Sequence, residues 1–116
     1  MDASKALIMV QPLIDATQDM RRRKVSKSRC DELLLAINAI PLSAFEGQAD
    51  LERLWMQALS SFRYALLLWL YGDMQTARDE SEKARRKVDQ IRAQTLAADP
   101  SWAAAVGSCQ PQLVAH

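Results

Sequence analysis

LERLWMQALSSFRYALLLWLYGDMQTARDESEKARRKVDQIRAQT, residues 51–95, is the stretch whose reading decides the fold. Its first half repeats apolar residues at helical spacing for more than five turns: Leu51, Leu54, Trp55, Ala58, Leu59, Phe62, Ala65, Leu66, Trp69 and Leu70. Gly72 then supplies a helix stop, because a glycine enters the left-handed region without steric cost. Asp73 is placed to cap the helix that follows, from Met74 to about Ala98, where Asp99 and Pro100 end it. That second helix has a narrow seam, Met74, Ala77, Ser81, Ala84, Val88, Ile91 and Thr95, with steps alternating between three and four. Alternating steps of three and four are the heptad of a close helix pair.

The first helix carries the matching series Leu51, Trp55, Ala58, Phe62, Ala65 and Trp69. Folding the chain back at Gly72 and Asp73 opposes Trp69 with Ala77, Ala65 with Ser81, Phe62 with Ala84, Ala58 with Val88, Trp55 with Ile91 and Leu51 with Thr95. Most of these pairs set a large residue against a smaller one, which lets two helices approach without leaving voids. On the flanks, Arg78 with Glu82, Asp79 with Lys83 and Glu82 with Arg86 are expected as i,i+4 ion pairs, so the acids read as solvated helix surface.

Tyr71, Gly72 and Asp73, with Ala77 and Ala84 after them, resemble the turn and second helix of a tetratricopeptide unit over about thirty residues. Ala65, Leu68 and Ser81 stand where that family prefers aromatic or small residues, no second copy follows, and both helices exceed the length of such a repeat. The resemblance therefore implies shared hairpin packing and not membership.

Upstream, Asp2 or Ser4 can cap a helix starting near Lys5, with Leu7, Ile8, Leu13, Ile14 and Met20 on its apolar side. Pro12 removes a hydrogen bond within it, so either the helix kinks there or it starts at Gln11 with Pro12 in its first turn; one kinked helix to about Arg22 is the expectation. Continued further, the stripe of Leu13, Thr17 and Met20 would place Lys24, Ser28 and Asp31 in the core, which puts a break between residues 23 and 29. Ser28 is expected to cap the next helix, with Asp31 and Glu32 in its first turn. That helix buries Leu33, Leu34, Ile37 and Ile40 and ends at Pro41, and residues 41–49 (PLSAFEGQA) read as a linker. The expectation is an all-α bundle of about four helices in one domain, residues 1–100, followed by a flexible tail, 101–116, from which Trp102 and Val106 can dock.

The composition agrees. The chain has 116 residues, 49% hydrophobic and 25% charged, with only three glycines and four prolines. It is too apolar for a disordered chain and too poor in glycine for a turn-rich β-sandwich. Fifteen Lys and Arg against fourteen Asp and Glu create no overall field, so any electrostatic function must come from local clusters. Cys30 and Cys109 lie far apart and the single histidine is His116, a set that makes no metal site. With no internal histidine, no glycine-rich phosphate loop and no convergent polar group, neither an enzyme nor a cofactor or small-molecule substrate is expected. The apolar run Tyr64–Tyr71 is too short to span a bilayer, and a cytoplasmic chain with reduced cysteines is expected.

Two features exceed what a hairpin needs. Tyr64, Leu67, Leu68 and Tyr71 make the long helix apolar on nearly all sides near its end. Either the upstream helices cover this second face and close a four-helix bundle, or part of it stays open as a homodimer or protein-partner interface. Arg21, Arg22, Arg23, Lys24, Lys27 and Arg29 form a basic run suited to phosphates or other anions, which makes a nucleic-acid-binding accessory role the alternative. The expected function is that of a non-enzymatic protein-binding factor, an adaptor, inhibitor or chaperone-like accessory protein, and the Ala/Leu/Arg-rich composition suggests a bacterial or phage type.

Overall fold

The structure, a computed structural model, describes residues 3–98, and the expected tail with Trp102 and Val106 lies outside them. The described residues form α1 (Ala3–Met9), α2 (Gln11–Arg21), α3 (Lys27–Asn38), α4 (Ala49–Tyr71) and α5 (Met74–Ala98), with no strand among them. Because α1 and α2 are the two arms of one kinked helix, this is an all-α bundle of four helices. No helix among the described residues is long and apolar enough to cross a membrane.

α4 and α5 make the most extensive contact in the bundle. Their turn is a Schellman motif: Gly72 adopts φ +93°, its N–H donates to the Trp69 carbonyl (3.1 Å), and the Asp73 N–H donates to the Leu68 carbonyl (3.0 Å). Asp73 Oδ1 then accepts the Thr76 N–H at 3.2 Å, capping α5. Leu51, Trp55, Ala58, Phe62, Ala65 and Trp69 are all buried, as are Ala77, Ser81, Ala84, Val88, Ile91 and Thr95. Met74, expected to open the α5 seam, is exposed at the first position of α5, and the buried seam begins at Ala77.

Pro12 cannot donate to the Ile8 carbonyl, and the helix bends there with Val10 at φ −82°, ψ −11° between the two arms. The buried stripe runs through the bend unbroken: Ala6, Val10, Leu13, Thr17 and Met20, again in steps of four and three. Ile8, expected on this apolar side, is exposed because it lies off that stripe, and Ile14 is half-buried. α2 packs on α5, where Thr17 Oγ1 meets Ser81 Oγ at 2.5 Å in the core. Thr17 spends its only hydroxyl proton on the Leu13 carbonyl (3.1 Å), so Ser81 donates to Thr17.

α2 ends in a second Schellman motif, which sequence reasoning missed because its left-handed residue is Arg23 (φ +56°) and not glycine. Lys24 N–H donates to the Asp19 carbonyl (3.0 Å) and Arg23 N–H to the Met20 carbonyl (3.1 Å). This tight stop leaves Ser26, not Ser28, as the N-cap of α3: Ser26 Oγ accepts the Arg29 N–H at 3.1 Å. α3 buries Cys30, Leu33 and Ile37, with Ile40 just beyond its end, while Leu34 is half-buried.

The segment 41–49 is more than a linker. Phe45 is buried edge-on against Trp55, ring centroids 5.7 Å apart, and Ala44 is buried beside it. Glu52, in the first turns of α4, reaches back to accept the N–H of Ala44 (2.8 Å) and Phe45 (2.6 Å) and the Ser43 hydroxyl (2.7 Å). The Ser43 hydrogen bond above all, together with those from Phe45 and Ala44, holds the Glu52 carboxyl below its ordinary range against the opposing effect of burial.

The three expected i,i+4 pairs on α5 are not among its ion pairs. Glu82 instead turns toward α2, where Arg21 bonds it, and toward Arg85, at 3.1 Å. Arg85 continues to Asp89 (2.6 Å), Lys83 pairs with Glu80 (2.9 Å), and Arg78 donates to Gln75 (3.0 Å). Capture of Glu82 by an arginine from another helix is what displaces the expected pairing with Arg78 and Arg86.

Candidate functional site

α4 has two committed faces and one open face. The seam faces α5, and Leu59 and Leu66 are buried on the side where α3 packs. Trp69 Nε1 donates to the Val25 carbonyl (2.9 Å), Trp55 Nε1 to the Pro41 carbonyl (2.8 Å), and Arg63 bonds Asn38 Oδ1 (2.5 Å), so α3 lies antiparallel along α4. The upstream helices thus cover part of the second apolar face. What they leave is Tyr64 at 51% exposure, Leu67 at 38% and Tyr71 at 86%, with Leu68 half-buried against the core. Steps of three and four place these residues on the same outer side of α4.

One turn nearer the start of α4, that side borders a groove of about 400 Å³ lined by Met56, Gln57, Ser60 and Ser61 from α4 and by Lys83 and Lys87 from α5. α5 turns Ser81, Glu82 and Arg92 toward the α1–α2 arm: Ser81 meets Thr17, Glu82 meets Arg21, and Arg92 donates to Gln11 (2.9 Å). Lys83 and Lys87 therefore stand on the opposite flank of the hairpin. Sequence reading gives Lys83 and Lys87 little weight because they are interleaved with acids along the chain, and it misses the α4 wall of the groove. Their common flank emerges only once α5 is registered against α4, and the i,i+4 spacing of Lys83 and Lys87 was the available signal.

The basic run is also fully at the surface: Arg21, Arg22, Arg23, Lys24, Lys27 and Arg29 are exposed around the α2–α3 turn. Arg21 is committed to Glu82, and among the described residues the other five make no ion pair. Cations at the C-terminal end of α2 also complement its dipole, which accounts for Arg21 to Arg23 without any ligand.

The Cys30 thiol is buried, and burial first, with Asp31 second, pushes its pKa up, so it is held as the unreactive thiol. Among the described residues, no group of three or more His, Cys, Asp and Glu could hold a metal ion. No family model, no curated protein and no solved structure matches this chain.

Proposed function

We propose that this protein works without catalysis, by holding another protein against the outer face of α4. The observation that carries the reading is the exposure of Tyr64, Leu67 and Tyr71 on one side of a helix whose sides toward α5 and α3 are packed. Tyrosines are among the anchors that dominate binding energy at interfaces, and a leucine beside them extends the apolar patch. Leu35 and Leu42 are exposed as well, but α3 and its following loop expose no aromatic side chain beside them, Phe45 being buried, and scattered surface leucines are ordinary. Such a protein would serve as an adaptor, inhibitor or chaperone-like accessory factor, of the kind found in bacteria and phages, acting in a complex or as a homodimer in the cytoplasm.

A pull-down from the native cell, repeated with Leu67→Asp and Tyr71→Asp, tests the reading. Both side chains are exposed, so these changes leave the core intact; loss of the captured partner supports the face, and unchanged partners refute it. Light scattering separates a homodimer from a complex with a different protein.

A second reading has its own observation. Five unpaired cations around one turn suit a phosphate backbone, as in a nucleic-acid-binding accessory protein. Retardation of DNA or RNA at low salt that vanishes at high salt and in Arg22→Ser/Arg23→Ser/Lys24→Ser would favour it. No retardation at low salt dismisses it.

A further inference from the structure

We infer that the partner enters the α4–α5 groove as an amphipathic helix whose apolar stripe is bordered by carboxylates, an inference that rests on the docking role of the α4 outer face. The groove has an apolar and neutral α4 wall, Met56, Gln57, Ser60 and Ser61, and a cationic α5 wall, Lys83 and Lys87. Beyond it on α4 lie Tyr64, Leu67 and Tyr71. From Met56 to Tyr71 the face runs about 22 Å, the length of a four-turn helix. Helices laid in such grooves anchor through apolar residues at steps of three and four, and the charges along their borders select the partner.

The sign of that selection can be read from the charges present. Between Arg53 and Tyr71, α4 carries no acidic residue. Lys83 is shared with Glu80 at 2.9 Å, and Asp79 accepts from Gln75 at 3.2 Å. Lys87 has no ion-pair partner among the described residues, and Arg86 is exposed beside it. An approaching carboxylate finds Lys87 free and gains a share of Lys83, whereas an approaching lysine meets uncompensated like charge.

A second copy of the chain is the competing occupant. Among the residues whose exposure is described, its one exposed helical leucine next to acids is Leu35, with Asp31 and Glu32 one turn before it on α3. Seating that ridge in the groove joins two different surfaces. Such a contact closes into a dimer or ring where both ridges reach a groove, and otherwise propagates head to tail.

The test is a selection of displayed 18-residue helical peptides with a fixed leucine stripe and border positions randomised among Glu, Lys, Gln and Ser, run against the full chain. Enrichment of Glu at the border is expected. The selected peptides should bind Lys87→Glu, and Lys83→Gln/Lys87→Gln, about threefold to tenfold more weakly, the scale of one or two exposed ion pairs. Lys87 has no ion-pair partner to lose, so its variant keeps the fold, which circular dichroism checks. Peptides that bind without border preference, or whose binding ignores both variants while falling with Leu67→Asp, overturn the acidic-helix inference and leave the docking face standing. Peptides indifferent to Leu67→Asp as well, or no enriched peptide at all, overturn both. Growth of mass with concentration, abolished by Leu35→Asp, assigns the groove to a second copy and overturns the inference.

Discussion

Trp55 and Trp69 stand about four turns apart on one side of α4, and each indole N–H holds a backbone carbonyl at one end of α3: Pro41 after it and Val25 before it. A helix of 12 residues is about 18 Å long, and the separation of the two tryptophans along α4 is about 21 Å, so the two donors match the ends of α3. The short helix is thereby fixed on α4 from both ends, and the side of α4 carrying Tyr64, Leu67 and Tyr71 is the one it does not cover.

Replacing either tryptophan with phenylalanine removes one of these donors and is expected to cost about 1 kcal/mol for the hydrogen bond, with a further loss from the smaller ring. The effects should be polarised. Amide exchange is expected to rise near residues 27–31 in Trp69→Phe and near residues 36–40 in Trp55→Phe, and unchanged exchange across α3 in both would contradict the clamp.

Arg23 holds the left-handed position of a Schellman motif, a conformation that costs a non-glycine L-residue about 1 kcal/mol. Arg23→Gly should therefore raise stability by roughly 0.5–1 kcal/mol, whereas Arg23→Ala should not. Urea unfolding of the two variants checks this; a glycine variant no more stable than the alanine variant would count against it.

The Thr17–Ser81 pair predicts an inversion. Thr17→Val strands the buried Ser81 hydroxyl and should cost about 1–3 kcal/mol, while Thr17→Val/Ser81→Ala removes both polar groups and should be the more stable of the two. Thermal melts that place the double variant below Thr17→Val would refute the assigned hydrogen bond.

Acid should loosen the 43–45 segment through Glu52. Its carboxyl is lowered in the fold by Ser43 first, so its contribution is complete above the unfolded glutamate value of about 4.3 and disappears as pH falls through the lower folded value. Glu82 behaves alike: burial raises its pKa, but the hydrogen bonds from Arg85 and Arg21 outweigh that and hold it low. Glu52→Gln should be less stable than the parent at neutral pH and show a flatter decline below pH 4.3, read from urea midpoints; an unchanged slope would contradict the Glu52 contacts.

How far the sequence went depends on whether a feature is local. The hairpin was legible because its heptads, Gly72 and Asp73 all lie within one continuous stretch. The break after α2 was legible from the polar residues that a longer helix would bury, but its exact cap was not: the left-handed residue is an arginine, and Ser26 and Ser28 look alike as caps. Phe45 was hidden because nothing near it in the chain announces Trp55 as its partner. The exposed state of Tyr64, Leu67 and Tyr71 depends on where α3 lands, which two indole-to-carbonyl bonds across more than a dozen residues decide.

The most direct measurement on the central claim is photo-crosslinking in the native cell, with the reactive side chain placed at Leu67 and, as a control, at Leu35. Both positions are exposed, Leu35 the more so, so a lack of adducts at 35 cannot come from poorer access. A discrete adduct with another protein from position 67 and none from position 35 is the predicted result. Adducts from position 35 alone, or none from position 67, would contradict the claim that the outer face of α4 is where this protein holds its partner.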